Sequence, residues 1–277
     1  MKLYRTSKGV LLEIEHKFYL VHSDWSDLVN SDSLYKECES IVKQTEEIQD
    51  GEEWIANYLL KPIEEQEIWA TGVTYFNSKM GRQEEAEAAG GGDFYERVYH
   101  ADRPELFFKS TAERAVGHQE KVAIRKDSTW DVPEPELTLC INPSGKIVGY
   151  TIGNDMSSRS IEGENPLYLP QAKTYDRSAA IGPCIFVTDK PFPSDAKIYL
   201  KIFRDGQQVF EGNVGVDQIV RKFEDIVAYL YSHTTYPRGC FLMTGTGIVP
   251  DSTFTLKKGD EIHITIDYIG TLTNTVG

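Results

Sequence analysis

Asp131-Val132-Pro133-Glu134-Pro135-Glu136-Leu137-Thr138-Leu139 runs on to a turn at Asn142-Pro143-Ser144-Gly145 and returns from Lys146 to Ile152. This stretch reads as a β-hairpin, and the fold and the chemistry both follow from it. Glu134 and Glu136 stand two residues apart, so an extended chain points both side chains to one face. A turn with an even number of residues puts Gly153 opposite Glu134 and Asp155 opposite Val132. Asp155 then has the parity of the two glutamates and shares their face. Cross-strand neighbours lie about 5 Å apart and i, i+2 neighbours about 7 Å, so three carboxylates converge. Such charges repel one another unless a cation sits among them, and all-oxygen ligation suits a hard divalent ion such as Mg²⁺. The alternative is that these acids face solvent at a strand end, paired with Arg159 or Lys173. Pro133 and Pro135 stiffen the strand and favour the metal.

Outward from the hairpin, the C-terminal half reads as strands joined by turns. Asp205-Gly206 separates two strand-like runs, Ile198–Arg204 and Gln207–Gly212, and is a strong two-residue hairpin signal. Asp217 to Ser232 carries Ile219, Val220, Phe223, Ile226, Val227 and Leu230 at helical spacing, which predicts an amphipathic helix packed on a sheet. Thr253–Leu256, a turn at Lys258-Gly259-Asp260 and the alternating run Glu261–Asp267 close the chain as strands. N-terminal to the hairpin, Trp69–Tyr75 reads as a buried strand, Ser78–Glu87 as a helix capped by Ser78, and Gly90-Gly91-Gly92 as a flexible loop or lid hinge. Val10–Val21 predicts a pair of short strands and Ser33–Val42 a short helix.

The chain has 277 residues, enough at roughly 150 per domain for one large domain or two unequal ones. Its 29 lysines and arginines against 43 acids give a net charge of −14. That excludes nucleic acid and anionic membrane as principal partners, since both require a basic footprint. No apolar run approaches membrane length and the opening residues lack a signal-peptide core, so the expected location is the cytoplasm. Four scattered cysteines, Cys38, Cys140, Cys184 and Cys240, fit reduced buried thiols. Residues 1–70 hold 15 acids and 7 bases, over half of the excess charge. We therefore expect a small acidic N-terminal domain over 1–67 and a catalytic domain over 68–277. GxxxxGK, GxSxG and HExxH motifs are all absent, which argues against nucleotide, serine-hydrolase and zinc chemistry.

Glu134-Pro135-Glu136, then Gly149-Tyr150-Thr151-Ile152-Gly153-Asn154-Asp155-Met156-Ser157-Ser158-Arg159, then Lys173 and Thr244-Gly245-Thr246 resemble the fumarylacetoacetate hydrolase superfamily. The resemblance runs from Trp69 to the C-terminus. Gly163–Lys173 is similar to the branch that contains 2-keto-3-deoxy-D-arabinonate dehydratase. The resemblance implies an α+β, mostly β fold: a mixed β-roll catalytic domain with a small N-terminal domain, assembled as a homodimer or homotetramer. It also implies Mg²⁺ or Mn²⁺ held by Glu134, Glu136 and Asp155, Lys173 beside the metal and in contact with substrate, and Thr246 holding a substrate oxygen.

Hydrolases of the superfamily carry a histidine shortly after the first catalytic-domain strand, where it activates water. Here that position offers Ser78, a poor general base. Elimination of water needs no activated water. The implied activity is therefore dehydration of a 2-keto-3-deoxy sugar acid, with Lys173 or Glu105 as acid–base groups and Ser78 and Arg82 on the substrate. Two alternatives stand beside it. One is a metal-dependent hydrolase or decarboxylase of small 2-oxo acids on the same scaffold. The other is a catalytically inactive binding protein that uses its acidic N-terminal face.

Overall fold

A computed structural model describes residues 1–72, 74–75 and 98–277. The chain opens with a meander, β1 (Lys2–Thr6), β2 (Gly9–Ile14) and β3 (Lys17–Val21). Helices α1 (Trp25–Val29) and α2 (Leu34–Gln44) follow, then β4 (Glu47–Ile48) and α3 (Gly51–Tyr58). Asp24 caps α1, accepting the Ser26 N–H at 2.9 Å. Next come β5 (Glu67–Gly72), β6 (Glu105–Thr111), the short β7 (Lys121–Val122) and β8 (Asp131–Val132), and the central hairpin of β9 (Pro135–Ile141) and β10 (Ile147–Asp155). Beyond it lie β11 (Ser157–Ser158), α4 (Arg159–Glu164), α5 (Leu169–Lys173), β12 (Ala179–Phe186), β13 (Lys197–Arg204) and β14 (Gln207–Gly215). Helix α6 (Phe223–Tyr231), β15 (Cys240–Met243), β16 (Glu261–Ile266) and β17 (Gly270–Val276) complete the chain.

Ten strands form one sheet in the order β4-β3-β2-β1-β12-β10-β9-β15-β5-β6, and five form a second, β14-β13-β16-β17-β7. Most neighbours are antiparallel, but β15 runs parallel to β5 and β17 parallel to β7, so both sheets are mixed. Leu137, Leu139 and Ile152 of the first sheet share a buried core with Ile198, Leu200, Ile262, Ile264 and Leu272 of the second. The other face of the large sheet buries Leu12, Ile68, Ile181 and Phe241 together with Trp25, Leu28 and Leu34 from the first two helices. β9 is buried along its whole length because both of its faces are covered. The N-terminal segment joins this architecture through β1, which pairs with β12.

The hairpin of β9 and β10 differs in register from the expectation. Asn142 N–H donates to the Lys146 carbonyl, so the turn holds three residues rather than an even number. A bulge between Ile147 and Gly149 then adds one more residue. The two odd steps cancel, and parity is kept while the register moves by two. Gly153 faces Glu136, and Asp155 faces Glu134 rather than Val132, through reciprocal backbone bonds of 3.0 and 3.2 Å. Val132 pairs with Ser157 instead.

Asp205-Gly206 forms the expected tight turn between β13 and β14, with φ of 51° and 76° at its two residues. The late helix starts at Phe223, not Asp217. Val220 is 53% exposed and its N–H donates to the Thr74 carbonyl, and the backbone is extended at Ile219 and at Lys222 on either side. Residues 253–256 are not a strand, whereas Gly270–Val276 is one. All four cysteines are free and buried. Among the described residues, no helix is long and apolar enough to cross a membrane. The expected helix Ser78–Glu87 and the glycines 90–92 lie outside the described residues.

Candidate metal centre

Three carboxylates meet where the central hairpin ends. Glu134 precedes β9, Glu136 lies within it, and Asp155 ends β10; one oxygen from each lies within 4.8 Å of the other two, and all three residues are buried. The direct pairing of Glu134 with Asp155 and the two-residue step to Glu136 place them there. Burial and repulsion from Asp155 and Glu134 push the Glu136 carboxyl well above its ordinary range. Such a cluster is costly as it stands. It offers three converging hard oxygen donors, which is the donor chemistry that Mg²⁺ or Mn²⁺ requires.

A loop and a pair of short helices complete the cavity. Thr71, Gly72, Phe107, Arg159, Gly245 and Thr246 line it together with the carboxylates and Lys173. Gly245 N–H donates to Glu136 Oε2 at 2.5 Å. This residue has φ +89°, and a Cβ there would lie 2.1 Å from Thr74 Oγ1, so only glycine lets the loop approach the carboxylate this closely. Lys173, at the end of α5, reaches Glu134 Oε2 at 2.8 Å, Asp155 Oδ2 at 3.1 Å and Ser157 Oγ at 2.6 Å. Arg159, at the start of α4, donates to Glu134 Oε1 at 2.6 Å. Thr246 lines the cavity with its hydroxyl bonded to the backbone of Ile248. The Glu105 carboxylate abuts Gly72, where a Cβ would lie 2.0 Å from Oε2. The fold thus brings Glu134, Glu136, Asp155, Lys173 and Thr246 together and sets Glu105 against the cavity wall. Ser78 and Arg82 lie outside the described residues.

Two further charged residues in this region were not singled out from the sequence. Lys109 is fully buried with Nζ 2.5 Å from Asp155 Oδ1, where burial pushes its ammonium below the usual lysine range. Glu162, also buried, lies 3.9 Å from Arg159 Nε and 4.0 Å from Lys173 Nζ. The sequence offers Arg159 as the end of the family-like stretch Gly149–Arg159 and as a partner for solvent-facing acids; the acids it neutralises are buried. A charged residue directly after the apolar run Leu106-Phe107-Phe108, within one strand, was the available signal for Lys109. Glu162 left none, because a glutamate on a short helix is ordinary.

Comparison with known proteins identifies the family. The model for the fumarylacetoacetate (FAA) hydrolase C-terminal domain matches residues 68–277, and the chain belongs to that family. It is 48% identical over 216 residues to a probable 2-keto-3-deoxyxylonate dehydratase of Haloferax volcanii, covering 78% of this chain and 73% of that one. It is 46% identical over 216 residues to the 2-dehydro-3-deoxy-D-arabinonate dehydratase of Saccharolobus solfataricus, covering 77% and 72%. A solved structure of 2-keto-3-deoxy-D-arabinonate dehydratase complexed with magnesium and 2,5-dioxopentanoate superposes with a TM-score of 0.86 at 36% identity, covering 100% of this chain and 98% of that one.

Proposed function

We propose that this chain is a Mg²⁺-dependent dehydratase that converts a 2-keto-3-deoxy sugar acid, of the 2-keto-3-deoxy-D-arabinonate type, to a 2,5-dioxo acid. The observation that carries the reading is Lys173, bonded to two of three buried, converging carboxylates inside one cavity. The relatives that support it are dehydratases of this substrate class. Glu134, Glu136 and Asp155 hold the divalent cation. When bound, that cation supplies Lewis-acid polarisation of the substrate's 2-oxo group and offsets negative charge developing at its oxygen.

The chain's own groups carry the protons. Lys173 shares Glu134 and Asp155 with the cation, so loading the site weakens the lysine's ion pairs, as a lysine must experience before it can accept a proton. Its amine takes a proton from C3. Glu105, at the cavity wall, gives a proton to the C4 hydroxyl, which departs as water. The resulting C3=C4 double bond shifts to C4=C5, and the enol so formed at C5 ketonises to the aldehyde. Gly72 leaves room for Glu105, while Phe107 contributes an apolar wall that limits water. Thr246 and, from the family resemblance, Ser78 and Arg82 hold the substrate's oxygens.

Incubation with Mg²⁺ and a panel of 2-keto-3-deoxy pentonates and hexonates tests the reading; a new aldehyde that disappears with chelator is the expected product. Hydrolysis of acylpyruvates with no dehydration of any panel member would overturn it. The proton roles are read separately in D₂O. Lys173→Met should abolish deuterium entry at C3, whereas Glu105→Gln should keep that exchange and lose water elimination. The same family reading implies a homodimer or homotetramer, which sedimentation equilibrium would measure.

A further inference from the structure

We propose that Lys109 is a positioning residue for this site, fixing the Asp155 carboxylate and the Lys173 main chain relative to one another. Across β5 and β6, Ile68 pairs with Ser110 but Trp69 pairs with Phe108, so Lys109 is the extra residue of a β-bulge with no partner on β5. Bulges next to active sites re-aim side chains. Here the lysine is turned wholly inward, 0% exposed.

Its ammonium lies 2.5 Å from Asp155 Oδ1 and donates to the carbonyls of Met156 at 2.9 Å and Lys173 at 2.5 Å. Two of its three N–H bonds go to those carbonyls, the ion pair with Asp155 takes a further side of the ammonium, and Lys109 lies outside the lining of the cavity, away from substrate. Lys109 therefore acts through its neighbours. Asp155 Oδ2 meets Lys173 Nζ at 3.1 Å, so the carboxylate is held between two lysines, one from β6 and one from α5. Lys109 also grips the main chain of the second. One side chain thus ties the last carboxylate of the cluster to the residue beside it that moves the proton.

This rests on the metal reading above, and the test separates the two. Mn²⁺ is titrated calorimetrically into folded wild type, Lys109→Gln and Lys109→Met, each checked by circular dichroism and melting. Both variants should bind Mn²⁺ about 10- to 100-fold more weakly, since groups that orient metal ligands carry effects of that size. Their kcat should fall by a similar factor while KM stays within about threefold, as expected for lost transition-state geometry. Lys109→Arg, which keeps the charge, should recover part of the affinity. Coulomb's law alone predicts the opposite sign, because removing a positive charge beside Asp155 would tighten cation binding. Unchanged or tighter Mn²⁺ binding in either folded variant overturns the proposal. If neither variant folds, lysine ε-carbon resonances of the wild type are followed during Mg²⁺ titration. Movement of both buried lysines supports the coupling, and movement of one alone overturns it. Failure of the wild type to bind Mn²⁺ would overturn the metal reading and this inference with it.

Discussion

Glutamates in two parts of the molecule behave in opposite ways. Glu52 and Glu53 sit exposed in the first turn of α3, in the acidic segment 1–67, where water and the helix N-terminus accommodate their charge. Glu134 and Glu136, with Asp155, are packed into a buried site where each charge raises the cost of the next. The net charge of −14 counts both kinds alike. At the site, Glu134, Glu136, Asp155 and Glu162 face Lys109, Arg159 and Lys173. Fully ionised, four acids against three cations leave one negative charge, and a divalent ion reverses the sign. While Lys173 keeps its proton, the loaded centre therefore attracts an anionic sugar acid although the molecule as a whole is strongly acidic; with Lys173 as the neutral base the centre carries no net charge. Placement, not composition, decides what the acids do.

Removing a carboxylate is the harshest way to break the contrast. Glu136→Gln should cost more than about 10³-fold in Mg²⁺-dependent turnover, because a ligand to the Lewis acid is lost. The same change should raise the melting temperature of the metal-free protein, since it relieves repulsion. Activity near wild type, or a lower metal-free melting temperature, would show that the three acids are not a strained metal-ready cluster.

The pH dependence sharpens this. Unfolded Glu136 ionises near its ordinary 4.5, but the folded group holds its proton to higher pH. Between those values the folded state binds more protons than the unfolded state, so stability falls as pH rises above about 4.5 and levels off beyond the folded value. Melting curves in chelator should show that decline, and saturating Mg²⁺ should remove it while adding about 2.7 kcal/mol at a hundredfold excess over Kd. A flat or rising metal-free curve that also matches Glu136→Gln would refute the repulsion.

Asp131 provides an intermediate case. It is 3% exposed on β8, and burial raises its carboxyl from 3.8 to about 6. By the same sign, its share of stability is lost as pH climbs from about 4 to 6, on the order of 2 kcal/mol. Asp131→Asn should flatten the stability curve in that window alone, and should leave Mn²⁺ affinity unchanged. An unaltered slope between pH 4 and 6 would place the titrating group elsewhere.

How much of this was legible in the sequence depends on which physical rule set each residue. The carboxylate face was readable because side chains alternate strictly along a strand, and only parity mattered. The pairing itself was not, since a three-residue turn and a bulge, neither visible in composition, each moved the register by one. The bulge on β6 is equally invisible in composition: it leaves Lys109 without a partner on β5, and the contacts that satisfy the buried lysine, to Met156 and Lys173, are made across the fold. The strand Gly270–Val276 escaped notice because its inward face carries Asn274 between Leu272 and Val276. The Asn274 Nδ2 donates to the carbonyls of Gly117 and Glu120 at 2.9 and 3.0 Å, contacts made across the fold. Ile219 and Val220 misled in the opposite direction. Their spacing is helical, yet a single 3₁₀ turn at Val216–Gln218 gives way to extended backbone at Ile219 and again at Lys222, and the α-helix begins only at Phe223.

The smallest expected effect is the most direct test of the contrast, because the substitution is chemically identical. Glu52→Gln with Glu53→Gln removes two charges from an already acidic segment, and general repulsion would predict a gain in stability. The local field predicts a loss. Both side chains stand at the N-terminus of α3, where unpaired N–H groups favour negative charge, and the capping position Asp50 makes no side-chain cap bond, its Oδ2 instead accepting Trp54 Nε1 at 2.6 Å. The double variant should therefore melt about 1 °C lower than wild type at low ionic strength, with the difference vanishing at high salt. Turnover and Mn²⁺ affinity should not change. A higher melting temperature would mean that the acidic segment is governed by its total charge, as the buried cluster is, and the distinction between the two regions would fall.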